Sequence, residues 1–183
     1  MDAIAALARM SKRTLYARYA DKTALFRAVL NDLIERWLIP LGHISADSSD
    51  LETTLLKIAR HLAQSALQPE LISVDRVVVS ESERWPEFGS IVNEKARRPA
   101  LNILVEILSQ HRNQLRDIDL AIAAEQFLSL SVDGHLRRAH IGEQLDETAV
   151  ERWTRASVDL FLSGILTTES ASARSRSTEK TFR

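Results

Sequence analysis

The sequence predicts an all-α fold, and three observations carry that reading. Glycine and proline are scarce, with 5 Gly and 4 Pro in 183 residues, so turns are few. Ala, Leu, Glu and Arg, the strong helix formers, dominate the composition. Apolar residues recur at spacings of three and four nearly throughout, whereas alternation with period two is almost absent. The chain has no cysteine, which excludes a disulfide-stapled fold and a thiolate zinc site. No apolar run reaches 18 residues and the N-terminus has no basic-then-apolar signal pattern, so a cytoplasmic protein without a membrane span is expected.

Ile4, Leu7 and Ala8 begin a short helix that stops near Arg9-Met10-Ser11. Ser11 suits the N-cap of a second short helix, Lys12 to about Tyr19. Asp21 then caps a long helix with Leu25, Phe26, Val29, Leu30, Leu33, Trp37 and Leu41 on one stripe. Pro40, Gly42 and the polar 45–50 stretch mark a boundary, and Asp50 caps a helix patterned by Leu51, Leu55, Ile58 and Leu62. Pro69 fits the first turn of the next helix. Its Val74–Val79 segment resembles a buried strand, but no second strand exists to pair with it, and Leu71, Val74 and Val78 share a helical face. Pro86 and Pro99 punctuate the next stretch, and Pro99 is expected to restart a helix carrying Leu101, Leu104, Val105 and Leu108. Two strongly patterned helices come after it, about 118–139 and 147–166. After Thr167 the composition is Ser, Thr, Ala, Arg and Glu without apolar period, and disorder is expected. The expected domains are therefore 1–42, 43–167 and a tail of 168–183.

Net charge is −1, which at first argues against nucleic acid. The sum hides an asymmetry. Residues 1–39 carry +3, through Arg9, Lys12, Arg13, Arg18, Lys22, Arg27 and Arg36 against four acids; residues 40–166 carry −6 and the last 17 carry +2. Screening confines the acidic body's influence to about 8–10 Å, so the basic head can still attract phosphate.

A short helix, a three-residue turn and a second short helix rich in Lys, Arg, Thr and Tyr form a helix-turn-helix, whose second helix would enter a DNA major groove. Lys12, Arg13 and Arg18 can reach phosphates or guanine edges, and Thr14 and Tyr16 offer hydroxyls. Leu15 and Tyr19 would face the small domain's core. Lys22, in the first turn of the long helix, adds its charge to a helix N-terminus.

Ile4-Ala5, Ala8, Ser11, Thr14-Leu15-Tyr16, Tyr19, Asp21-Lys22 and Leu25 together resemble the DNA-binding signature of the TetR/AcrR family of bacterial transcriptional regulators. The pattern around Trp85-Pro86-Glu87-Phe88, with Ala124-Glu125-Gln126-Phe127, resembles the AefR-like branch of that family. The resemblance implies a homodimer that binds a near-palindromic double-stranded operator through Ser11, Lys12, Arg13, Thr14, Tyr16, Arg18 and Lys22, and a repressor that responds to a small-molecule effector. It implies an effector pocket in the body, for which His61, Trp85, Phe88, His111 and Phe127 are the candidates. It also implies dimerisation through the last two long helices, with Gly134, Trp153, Leu160, Phe161 and Gly164 at the interface.

Two departures stand out. The turn reads Ala8-Arg9-Met10-Ser11 where the family usually has Gly. The sequence also begins inside the motif, so the family's first helix is missing. A late start site or a truncated product is expected, with weak operator binding by this chain. The alternative is a dimeric small-molecule-binding module whose head no longer binds DNA.

Other chemistry finds little support. His43, His61, His111, His135 and His140 do not pair at ligand spacing, and no Glu-x-x-His is present. Glu81/Glu83 and Asp117/Asp119 sit two apart, on different sides of a helix. There is no Gly-rich phosphate loop or nucleophile elbow. No cofactor, metal or enzymatic activity is expected. Arg174, Arg176, Lys180 and Arg183 read as a solubilising tail.

Overall fold

The computed structural model describes residues 1–46 and 50–181, with side chains described for 1–44 and 50–174. It contains ten α-helices among these residues: α1 (Asp2–Leu7), α2 (Lys12–Arg18), α3 (Lys22–Ala46), α4 (Leu51–Ala66), α5 (Pro69–Glu81), α6 (Pro86–Val92), α7 (Arg98–Gln110), α8 (Leu120–His140), α9 (Glu147–Ile165) and α10 (Thr168–Thr181). Side-chain caps start several of them as their residue types dictate. Asp21, Asp50 and Asp146 accept from the backbone N–H groups of Ala24, Thr53 and Ala149 at 2.7, 2.8 and 2.7 Å. The all-α reading holds, and the Val74–Val79 segment lies within helix α5.

Helix α4 runs through the middle of the main core. Its Leu55, Ile58 and Leu62 meet Leu104, Ile107 and Leu108 of α7, Phe127 of α8 and Leu162 of α9 in one cluster. The Phe127 and Phe161 rings pack tilted at 4.9 Å between centroids, joining α8 to α9. A second cluster, built on Leu30 and Ile34 of α3, Val78 of α5 and Phe88 of α6, lies on the side toward the head.

Three boundaries differ from expectation. Helix α3 does not end at Pro40 but continues to Ala46. Pro40 lacks the N–H that would bond the carbonyl four residues back, yet Leu41 is buried in the main core and Ile44 packs against it, which holds the last turn in place. Pro99 does stand in the first turn of α7, but no loop separates that helix from α6. A π-helical turn at Asn93–Arg97 connects α6 directly to α7, and the Arg98 N–H reaches back five residues to the Asn93 carbonyl. The wider turn places Pro99 without breaking the rod.

The third difference is at the C-terminus, where α10 replaces the expected disorder. Thr167 Oγ1 accepts from the Ser170 N–H at 3.3 Å, and Ala171 packs against the main core. Arg174 donates to Glu52 at 2.7 and 3.0 Å and pairs with Asp159 at 2.7 Å, so one guanidinium ties α10 to α4 and α9. A polar composition hides this tether because both carboxylates come from other helices, outside the segment whose composition is being read. Arg176, Lys180 and Arg183 have side chains outside the described residues.

A second guanidinium joins α4 to α9. Arg60 donates to both Glu151 oxygens at 2.8 and 2.5 Å, and Arg155 adds a contact at 2.6 Å. The Arg60 hydrogen bond, helped by Arg155, holds the Glu151 carboxyl at about 2, below its ordinary 4.5. Because the folded value is depressed, the stabilisation is complete above about pH 4.5 and is lost as pH falls toward 2. Both side chains are over a third exposed or close to it, so screening leaves about 1 kcal/mol. Denaturant titrations of Glu151→Gln and its parent should thus differ at pH 7 and converge near pH 2.

Candidate nucleic-acid interface and body cavity

The head is built around a tight link between α1 and α2. The Met10 N–H bonds the Ala5 carbonyl at 3.0 Å and the Arg9 N–H bonds the Ala6 carbonyl at 3.1 Å, a pair of contacts that closes the C-terminus of α1. This geometry needs a left-handed residue, and Arg9 supplies it at φ 52°. Placing a side chain there costs about 1 kcal/mol relative to glycine. The positive φ is the one described among non-glycine residues, and it falls on the turn where the sequence lacks its glycine.

Ser11 then caps α2: its Oγ accepts from the Thr14 N–H at 3.0 Å and lies 2.8 Å from the Thr14 hydroxyl. Leu15 is the residue of α2 that is buried, and Tyr19 is half-buried. Ser11, Lys12, Arg13, Thr14, Tyr16 and Arg18 are all exposed, as is Lys22 at the start of α3. The seven residues are thus all solvent-facing, in and just after the segment Ser11–Arg18. Lys12 is not idle, because its ammonium sits 2.5 Å from Asp2 of α1. That hydrogen bond lowers the Asp2 carboxyl and raises the Lys12 ammonium. Arg18 lies over its neighbour's ring, 6.0 Å from the Tyr19 centroid.

In the body, a cavity of about 160 Å³ opens between α3, α4, α5, α6, the π turn and α8. Leu33 and Trp37 of α3, Leu71 and Val74 of α5, and Val132 and Leu136 of α8 are among its walls. Asp75 is the one ionisable side chain among the described residues that line it. Burial pushes the Asp75 carboxyl up, and the nearby Asp133 pushes the same way, against the His140 ring.

The five residues proposed for this pocket from sequence sit elsewhere. His61 Nε2 lies 2.9 Å from the Trp37 carbonyl, one step behind the wall. His111 Nδ1 lies 2.9 Å from the Ile107 carbonyl at the end of α7. Phe127 belongs to the main core. Phe88, with Phe26 at 4.7 Å and Trp85 at 6.3 Å, fills the second cluster, which shares Leu30, Ile34, Val78 and Ala96 with the cavity wall. Aromatic size and imidazole chemistry drew attention to these positions. The actual lining is aliphatic at helical spacing and so reads as ordinary core; the lone acid in the stripe, Asp75, was the signal that could have found it.

The five interface candidates do converge. Gly134, Trp153, Leu160, Phe161 and Gly164 all line a broad apolar groove on the outer face of α8 and α9. Leu160 is 65% exposed, Ile122 57% and Trp153 42%, while Phe161 turns inward to the core. Gly134 is fixed by packing within the chain, since a Cβ there would stand 2.9 Å from the Trp153 ring. Beside it, His135 is buried with neither ring nitrogen hydrogen-bonded, and burial pushes its imidazole down toward the neutral form.

Among the described residues no helix is long and apolar enough to cross a membrane, and no group of three His, Asp or Glu side chains is placed to hold a metal.

Residues 53–164 match the family described as AefR-like transcriptional repressor, C-terminal domain. The fold is similar to that of a protein of Mesorhizobium loti assigned to the TetR family of transcriptional regulators, at TM-score 0.79 and 22% identity over 90% of this chain and 85% of that one. The flavonoid-responsive regulator FrrA is 28% identical, with TM-score 0.65, over 92% of this chain and 87% of its own. A TetR family transcriptional regulator of Pseudomonas syringae pv. tomato gives TM-score 0.67 and 22% identity over 90% and 84%. No functionally curated protein shows significant similarity to the chain.

Proposed function

The chain belongs to the TetR family of transcriptional regulators, in its AefR-like branch, and from that premise we propose that it is a ligand-responsive repressor acting as a homodimer on a near-palindromic operator. It is a regulator and not an enzyme. The observation that carries the operator reading is the division of α2: Leu15 anchors it inside, and every Lys, Arg and hydroxyl side chain on it faces solvent. Two such helices in a dimer would enter successive major grooves on one face of the duplex.

Coupling to an effector follows from α3. One continuous helix begins with Lys22 at the DNA face and supplies Leu30, Leu33, Ile34 and Trp37 to the cavity wall. The wall starts about 12 Å along the axis from Lys22. A molecule that displaces Leu33 or Trp37 therefore tilts the same rod on which the head is mounted, changing the separation of the two α2 helices. Couplings of this kind are worth about 1–3 kcal/mol and are reciprocal between effector and operator. FrrA's response to flavonoids supports a small, largely apolar organic molecule as the effector class.

A second reading, a dimeric sensor whose head does not bind DNA, is favoured by Leu7, which is 85% exposed on α1. One titration decides. Fluorescence anisotropy with DNA flanking the protein's own gene should give an affinity that falls steeply with salt. Arg13→Ala should weaken it about tenfold and reduce the log–log salt slope by about one. Binding that is absent or flat with salt selects the second reading.

A further inference from the structure

The cavity's chemistry is more specific than its shape. Asp75 is a carboxylate in a wall otherwise made of side chains such as Leu33, Val74, Val78 and Leu136. Its own neighbours leave it poorly compensated. His140 Nε2 is 3.3 Å from Asp75 Oδ2, yet that nitrogen makes no hydrogen bond. The adjacent Arg76 is committed elsewhere, its Nη2 donating to the carbonyls of Ala139 and His140 at 3.2 and 2.9 Å, where it closes the C-terminus of α8. Asp133 adds a second negative charge to the neighbourhood. The Asp75 side chain is 30% exposed, so its carboxylate is partly desolvated and has no guanidinium or ammonium hydrogen-bonded to it among the described residues; a cation that brings its own apolar body would complete the pairing. Trp37, in the same wall, is the aromatic side chain among the lining residues.

Resting on the reading of this cavity as the effector site, we propose that it selects a small aryl-alkyl amine: the ammonium sits on Asp75 and the ring lies among Leu33, Trp37, Val78 and Leu136. The volume sets the size. A cavity of about 150 Å³ accommodates a benzene ring, and this one, at about 160 Å³, admits one ring with a short arm. Binding would also draw Asp75 away from His140 and so loosen the contact of α5 with the end of α8. The effector would then act on two helices of the body as well as on α3.

Isothermal titration of the DNA-free 183-residue chain at pH 7 with four probes of nearly equal size tests the idea: benzylamine, benzyl alcohol, toluene and benzoate. Benzylamine should bind at least about tenfold tighter than toluene or benzyl alcohol, and benzoate should give no heat. Asp75→Asn should bring benzylamine down to the toluene level and leave toluene unchanged. Equal affinity for benzylamine and toluene, or for benzylamine and benzyl alcohol, overturns the charge selection while leaving the cavity as an effector site. Failure of all four probes to bind overturns both. Should Asp75→Asn not fold, the ranking of the four probes on the parent protein still decides. Benzylamine binding that is undiminished in a folded Asp75→Asn also overturns it.

Discussion

Leu160→Asp is expected to sediment as a monomer at concentrations where the parent protein forms the proposed dimer. Leu160 is 65% exposed at the middle of the α8–α9 groove, flanked by Trp153 and Gly164. Such an open apolar strip is explained by a second copy of the same strip across a two-fold axis, giving a four-helix bundle. In that arrangement the variant buries two carboxylates near the axis, each without a partner. An uncompensated buried charge costs about 3–5 kcal/mol, which raises the dimer dissociation constant by more than about a hundredfold. The isolated chain should keep its helicity, because Leu160 contributes little to the core of its own subunit. Analytical ultracentrifugation with circular dichroism separates the two effects. A dimer of unchanged strength would place the interface on another face. On the proposed operator reading, DNA affinity should fall in parallel, since each subunit holds one α2 helix and the second contact loses its tether.

Ile107→Ala is expected to lower stability by about 2–5 kcal/mol. Ile107 is fully buried where α4, α7, α8 and α9 meet, so the cavity left by truncation has no route to collapse. For a chain of this length the melting temperature should drop by about 10 °C. Val79→Ala is the matched control, a similar deletion at a side chain 64% exposed, and should stay within about 0.5 kcal/mol of the parent. Differential scanning calorimetry on both variants gives the comparison directly.

How legible these features were in the sequence depended on their range. Ser11, Asp21, Asp50 and Asp146 announce helix starts because a cap is satisfied within three residues. The α2 surface was legible for the same reason: Leu15 stands alone among polar neighbours. The residues of the apolar groove were named from the side of α9 that carries Trp153, Leu160, Phe161 and Gly164; the structure divides that side, with Phe161 packed in the core beside Val158 and Leu162. The cavity left one trace, the acid Asp75 in an apolar stripe. A wall of Leu, Val and Ala has the same period whether its far side meets another side chain or a gap. Only the packing of six elements decides which. The Arg174 bridge was hidden by range as well, because Glu52 stands 122 residues before it.

The π turn at Asn93–Arg97 gives the rod from Pro86 to Gln110 two orientations in one uninterrupted backbone. One added residue per turn shifts the angular phase of everything beyond it by about 100°. Phe88 and Ala96 can thus face the cluster beside the cavity, while Ala100, Leu104 and Ile107 face the main core. A regular α-helix of the same length could satisfy one of these faces and would carry the other off toward solvent. The turn therefore lets one unbroken run of backbone supply side chains to both cores, so that the two clusters share a single structural member.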